Sequence, residues 1–173
     1  WTPNTTDAQG RRYRFGHQPQ IGLWNMERLL EAIFPLLEKS KYIEEILDVY
    51  IDTYQVEQSD AYRRKLGLSD FRGEKDIELF QSLFNLLKAT ETDMTIFFRR
   101  LIEVDVHRSL PPEQLIEPLL KAYYRPPSRA VEEMLVDWLK RYQRRFEEDQ
   151  ALPEERQRLM EQTNPRYVLR NYL

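Results

Sequence analysis

Apolar residues return at spacings of three and four in one stretch after another along this chain, a pattern that is buried most simply by helices. The first stretch carries Leu23, Trp24, Leu30, Ile33, Phe34 and Leu37 on one stripe, with Glu27, Arg28 and Glu31 turned away, so a helix is expected from Ile21. Pro35 kinks or stops it. Ser40 caps a second helix on Ile43, Ile46, Leu47, Tyr50, Ile51 and Tyr54. Its pattern weakens through Glu57, Gln58 and Ser59, then resumes with Ala61, Tyr62 and Leu66 before Gly67, a residue type common just past a helix end. A third helix is expected from Glu74 through Ala89 on Ile77, Phe80, Leu83, Phe84 and Leu87. A fourth, capped by Thr92 or Asp93, buries Met94, Phe97, Phe98, Leu101 and Ile102.

Pro111-Pro112 opens a short helix on Leu115, Ile116, Leu119 and Leu120, because proline suits an early position that needs no amide donor. Tyr123 to Ser128 breaks the chain, and Ser128 caps a long helix holding Val131, Met134, Leu135, Trp138, Leu139, Tyr142 and Phe146. Pro153 begins another helix with Leu159 and Met160. Asn164-Pro165 offers a cap and first position for a last one on Tyr167, Val168 and Tyr172. Only Ile102 to Val106 alternates in the manner of a strand. No fixed-period repeat occurs, which argues against a solenoid. The expectation is an all-α, irregular helical bundle: one domain over 1–173, with a basic, aromatic loop over 1–20 and helices over 21–173.

A chain of 173 residues typically hides roughly 70% of its unfolded surface, enough for a sizeable core without staples. It has no cysteine, which excludes a disulfide framework and a cysteine-based zinc site and fits a reducing compartment. A net charge of -3 argues against a protein built chiefly for nucleic acid. No apolar run approaches the roughly 20 residues that span a bilayer, and no signal peptide is recognisable. A cytoplasmic, bacterial-type soluble protein with neither nucleic-acid nor membrane partners is expected. The opening on Trp1 and a polar, turn-rich run leads to the expectation that the sequence is part of something longer.

Catalytic chemistry leaves little mark. A phosphate-cradling loop needs closely spaced glycines, and Gly10, Gly16 and Gly22 match neither the dinucleotide nor the P-loop spacing. His17 and His107 stand far apart without ligand-like spacing, which predicts surface or hydrogen-bonded histidines and no metal. Glu44-Glu45, Glu132-Glu133 and Glu147-Glu148 read as solvated helix faces rather than acid–base pairs. Lys140, Arg141, Arg144 and Arg145 form a basic stretch able to meet nucleic acid or an acidic partner, but Glu147, Glu148 and Asp149 offset it, so it too is expected to be a solvated face.

More promising are Arg11, Arg12 and Arg14, interleaved with Tyr13 and Phe15 in a segment loosened by Gly10 and Gly16. Arginines hold phosphate by paired hydrogen bonds, and aromatics stack on a base or a substrate side chain. The plainer reading is that Tyr13, Phe15 and Trp24 anchor the segment while the arginines meet acidic neighbours.

The run Arg12-Tyr13-x-Phe15-x-x-Gln18-Pro19-x-x-Gly22-Leu23-Trp24-Asn25-Met26-x-Arg28-Leu29 resembles the signature of the selenoprotein O (SelO, YdiU-like) family. Three further blocks follow in the family's order: Arg63-Arg64-Lys65-Leu66-Gly67-Leu68, then Asp137-Trp138-Leu139 with Tyr142 and Arg145, and finally Asn164-Pro165-Arg166-Tyr167-Val168-Leu169-Arg170-Asn171-Tyr172. The resemblance implies the carboxy-terminal part of a protein-kinase-like (pseudokinase) fold that transfers AMP from ATP to protein Ser, Thr or Tyr with Mg2+ or Mn2+. It also implies that the lysine, glutamate, aspartates and asparagine that hold nucleotide and metal belong upstream of this chain. On that basis the chain alone carries no catalytic, cofactor or metal residue and is inactive, its partners being the rest of the kinase-like lobe and protein substrates. Arg12, Tyr13, Gln18 and Asn25 in the matched run, with Arg11 just before it, are the candidates for a place beside the substrate or active site. Where the family has Gly-Arg-Tyr, this chain reads Gly10-Arg11-Arg12-Tyr13, which leaves open which arginine takes the family's role. The rival is a free-standing helical interaction module.

Overall fold

Among the described residues, seven α-helices and two short 3-10 turns account for the regular structure, and no strand occurs. The computed structural model describes residues 9–10, 12–36, 41–108, 110–149 and 152–167. In chain order there are a 3-10 turn at Phe15–His17, α1 at Gln18–Ile33, a second 3-10 turn at Phe34–Leu36, α2 at Lys41–Leu66, α3 at Glu74–Ala89, α4 at Met94–Leu101, α5 at Pro112–Leu120, α6 at Arg129–Glu147 and α7 at Pro153–Thr163. Their contacts fall into two compact units, one through Gln58 and one from Ser59.

In the first unit α1 begins at Gln18, three residues before the expected start, because Pro19 occupies one of the first positions of the helix, where a missing amide costs nothing. Tyr50 of α2 lies against Gly22, and its hydroxyl donates to the Pro19 carbonyl at 3.1 Å. A Cβ on Gly22 would sit 2.3 Å from that hydroxyl oxygen, so the missing side chain is what lets the two helices approach. The expected buried stripe of α1 is corrected here. Leu30 alone is buried among the unit's described residues, while Trp24 and Phe34 are exposed. Leu37 and the Ser40 cap lie outside the described residues.

The second unit holds the core. Three aromatics one turn apart on α6 stack in series, Trp138 on Tyr142 at 5.1 Å and Tyr142 edge-on to Phe146 at 5.0 Å, with Phe97 of α4 against Trp138. Each aromatic so buried is worth about 2–3 kcal/mol of transfer free energy, provided its polar tip finds a partner. Both tips do: the Trp138 indole N–H donates to Leu79 O at 3.0 Å and the Tyr142 hydroxyl to Leu66 O at 2.5 Å. Helix starts follow the expected chemistry. Asp93 accepts the Ile96 amide at 3.0 Å, and Ser128 accepts that of Val131 at 3.4 Å.

Helix α2 runs through Glu57, Gln58 and Ser59 to Leu66, just before Gly67, since none of these breaks a helix and polarity alone does not end one. Ile102 to Val106, despite its alternation, is turn and bend and not a strand, with Val104 and Val106 buried. Two expectations change. In α3 the buried face is Asp76, Leu79, Phe80, Leu83, Leu86 and Leu87, leaving Ile77 exposed. Asn164 follows the end of α7 instead of capping a new helix, and residues 165–167 are not helical. Val168 and Tyr172 lie outside the described residues.

Candidate functional site

In the segment singled out by the sequence, a tight turn at Phe15–His17 feeds α1, closed by the His17 amide donating to Arg14 O at 2.8 Å. Arg12 lies over the Trp24 ring, its guanidinium carbon 4.2 Å from the centroid, and 5.7 Å from that of the Tyr13 ring. Arg28, one turn beyond Trp24, approaches the same indole at 5.7 Å. Trp24 is therefore flanked by two cations, a geometry in which the electron-rich ring face offsets positive charge. Arg28 also pairs with Glu31 at 2.7 Å. Arg14 turns the other way and donates from Nε to His17 Nε2 at 2.9 Å.

Of the five residues expected beside a substrate or active site, Arg12 and Tyr13 come together, the Arg12 guanidinium reaching both the Tyr13 and the Trp24 rings. Gln18 and Asn25 are exposed on α1, two turns apart on the same side, and Arg11 lies outside the described residues. Tyr13 is 49% and Trp24 42% exposed, and the Phe15 side chain lies outside the described residues. Arg28 is exposed, as its place on the polar face with Glu27 and Glu31 implies, and what the sequence reading missed is its approach to Trp24. The available signal was its spacing of four from Trp24 on a helix.

The second basic group resolves differently. Lys140, Arg141 and Arg144 are exposed, as a solvated face requires, but Arg145 is buried. Its Nε donates to Asp76 at 2.7 Å and its Nη2 to Asp70 at 2.7 Å, while Asp149 stands 3.7 Å from Nη1. Burial alone would weaken the guanidinium's hold on its proton, yet the hydrogen bonds of Asp76 and Asp70 outweigh it and raise its pKa above the ordinary value. The Arg145 hydrogen bond holds Asp70 below the usual carboxylate range, against a smaller effect of burial. Asp149 also accepts the Ser69 amide at 2.8 Å. The chemistry is that of a clamp: one arginine ties α6 to the 67–73 loop and the start of α3.

The two remaining blocks meet each other. Lys65 donates to Asn164 Oδ1 at 3.0 Å with its ammonium 4.4 Å from the Phe98 ring, and the Asn164 amide returns to Lys65 O at 3.0 Å. Burial lowers the Lys65 pKa. Asn164 is buried, its carbonyl accepting from Arg99 at 3.4 Å. These residues, 99 positions apart, work as a structural joint.

Among the described residues no group of three or more His, Asp or Glu side chains is placed to hold a metal ion. Of the glycines Gly16 and Gly22, Gly22 is committed to Tyr50 and a Cβ on Gly16 would meet open space. The described residues bring together no set of side chains that fits a nucleotide's metal ion. No helix among them is long and apolar enough to cross a membrane.

Residues 1–173 match the family model described as protein adenylyltransferase SelO. The chain belongs to the SelO family. Among curated SelO-family relatives, the protein nucleotidyltransferase YdiU of Rhodopirellula baltica is 42% identical over 183 residues, covering 100% of this chain and 34% of that protein. Those of Xanthomonas oryzae pv. oryzae and Aromatoleum aromaticum are 46% and 40% identical over 174 residues, each again covering 100% of this chain and 32% of the relative. The chain thus spans about a third of the length of the SelO-family proteins it matches.

Proposed function

We propose that the chain is the carboxy-terminal helical part of a protein adenylyltransferase with a protein-kinase-like fold, the whole protein transferring AMP from ATP to protein side chains. ATP and Mg2+ or Mn2+ are held by residues outside this chain, which by itself transfers nothing. Its helices buttress the kinase-like lobe, and the segment around Arg11, Arg12 and Tyr13, with Gln18 and Asn25 on the adjoining helix, faces the protein substrate or the active site. The observation that carries this reading is the family match over residues 1–173, set beside relatives three times as long whose names describe protein nucleotidyltransferases. The solvent-facing Arg12–Trp24–Arg28 stack supports it from the geometry, because a planar cation held over an indole suits phosphate or carboxylate recognition.

The test is incorporation of labelled AMP into acceptor proteins with Mg2+ or Mn2+. Background labelling by this chain and strong labelling by the full-length gene product are expected, with Arg12→Ala in the latter lowering transfer at least tenfold and Lys140→Ala leaving it unchanged. Labelling by the chain alone overturns the reading. Full activity of the Arg12→Ala protein removes the placement of that segment.

A further inference from the structure

Helix α2 carries two apolar faces between Lys41 and Gln58, and among the described residues only one of them is used within its unit. Ile43, Leu47, Tyr50 and Tyr54 are half-buried on the side where Tyr50 meets α1. Roughly 120° around the helix, Tyr42, Ile46, Val49 and Val56 recur at intervals of four, three and seven with Thr53 between, and are 39–66% exposed. They form one straight stripe about 21 Å long, at 1.5 Å per residue. Monomeric proteins rarely leave contiguous apolar patches of this kind open unless something docks there. One edge of the stripe is acidic: Glu45, Asp48 and Asp52 recur at three and four, and residues 41–58 hold five acidic residues, Glu44, Glu45, Asp48, Asp52 and Glu57, against Lys41. Asp48 and Asp52 form no ion pair among the described residues.

We propose that this stripe is the docking surface for the remaining part of the same protein, and that the surface covering it is apolar with basic side chains along the edge facing Asp48 and Asp52. Resting on the functional reading above, the inference names which face meets the rest of the protein and what chemistry meets it. A second copy of the chain is the poorer occupant, because pairing two such helices brings two acidic edges together in a region already rich in negative charge. The relatives, of which this chain covers 32–34%, carry two further thirds of polypeptide from which the covering surface can come.

Hydroxyl-radical footprinting of the full-length gene product, with each residue's labelling rate referred to that of the same protein unfolded in urea, reads the stripe directly. At least tenfold protection of Tyr42, Ile46, Val49 and Val56 is expected at concentrations where sedimentation shows a monomer, and Asp48→Lys with Asp52→Lys should cut that protection several-fold. Labelling at unfolded rates overturns the proposal, as does a gene that encodes nothing beyond this chain. Protection that vanishes on dilution to the monomer overturns it in favour of a second copy, and protection indifferent to the charge reversals removes the basic edge. AMP transfer is measured on the same sample. An active protein with an open stripe sinks the docking proposal alone, and an inactive protein with a covered stripe sinks the functional reading alone.

Discussion

Replacing Gly67 by alanine tests how α2 ends and how α7 is seated against it. Gly67 has φ of 72°, and two hydrogen bonds close the helix around it, its own amide to Arg64 O at 3.1 Å and that of Leu68 to Arg63 O at 3.0 Å. An L-residue in this left-handed conformation costs roughly 1–2 kcal/mol. A Cβ there would also lie 2.8 Å from Cγ of Arg156 and 2.8 Å from Cγ of Met160, closer than carbon atoms pack. Both neighbours are buried, so relief means moving α7, and overpacking of this kind costs about 1–3 kcal/mol. Against these stands a gain of about 0.4–1 kcal/mol from a stiffer unfolded chain. Gly67→Ala should therefore destabilise by about 3 kcal/mol, lowering the thermal midpoint by roughly 10 °C for a protein of this size. Urea unfolding followed by circular dichroism measures it, with an unchanged m-value confirming that stability alone has moved. In a Met160→Ala background the added methyl loses one of its two close neighbours, and the penalty should shrink by about 1 kcal/mol. A Gly67→Ala protein within about 0.5 kcal/mol of the parent, or a penalty indifferent to Met160, would refute the account.

Tyr123 is buried with no hydrogen-bond partner for its hydroxyl among the described residues, and burial pushes its pKa up to about 12. Tyr123→Phe should stabilise by about 1 kcal/mol near neutrality, since it removes an unpaired buried hydroxyl. Because the folded pKa lies above the unfolded value of 10.0, the parent keeps its stability below that pH and loses up to about 2–3 kcal/mol between pH 10 and 12, whereas the phenylalanine variant lacks this loss; urea midpoints at pH 8 and 11.5 check both. Arg156 donates to Leu101 O at 2.8 Å and Ile102 O at 3.2 Å while lying 5.3 Å from the Phe146 ring. Arg156→Met keeps the stem but removes a charged donor from two carbonyls, so a loss of about 3 kcal/mol is expected, and a loss under about 1 kcal/mol in the same assay would contradict the role.

Periodicity made the second unit legible wherever one face of a helix is covered by the unit itself. The bounds of α3, the Asp93 and Ser128 caps, and the burial of Leu135, Trp138, Leu139, Tyr142 and Phe146 all follow from spacing and capping chemistry. The same rule failed on α1 and α2. It marks which residues are apolar but not whether anything in this chain covers them, so Trp24 and Ile46 read as core and are exposed. It failed again on polar residues that work inside. Arg145, Arg156 and Asn164 look like surface by residue type, and their burial depends on partners tens of positions away, such as Asp76, Leu101 and Lys65. In the basic aromatic segment the stacking of Arg12 on Trp24 was out of reach for a similar reason, since it depends on the turn at Phe15–His17 folding back toward α1.

Helix α7 holds the second unit at three successive turns. Arg156 closes the end of α4, Met160 fills the space over Gly67, and Asn164 is bonded to Lys65. Releasing Arg156 or Asn164 while the other contacts stay made leaves a charged or polar group stranded in the interior, and releasing Met160 leaves a void over Gly67. The helix therefore has no cheap way to fray from its carboxy-terminal end, and its amides should exchange with solvent only as often as the whole unit opens.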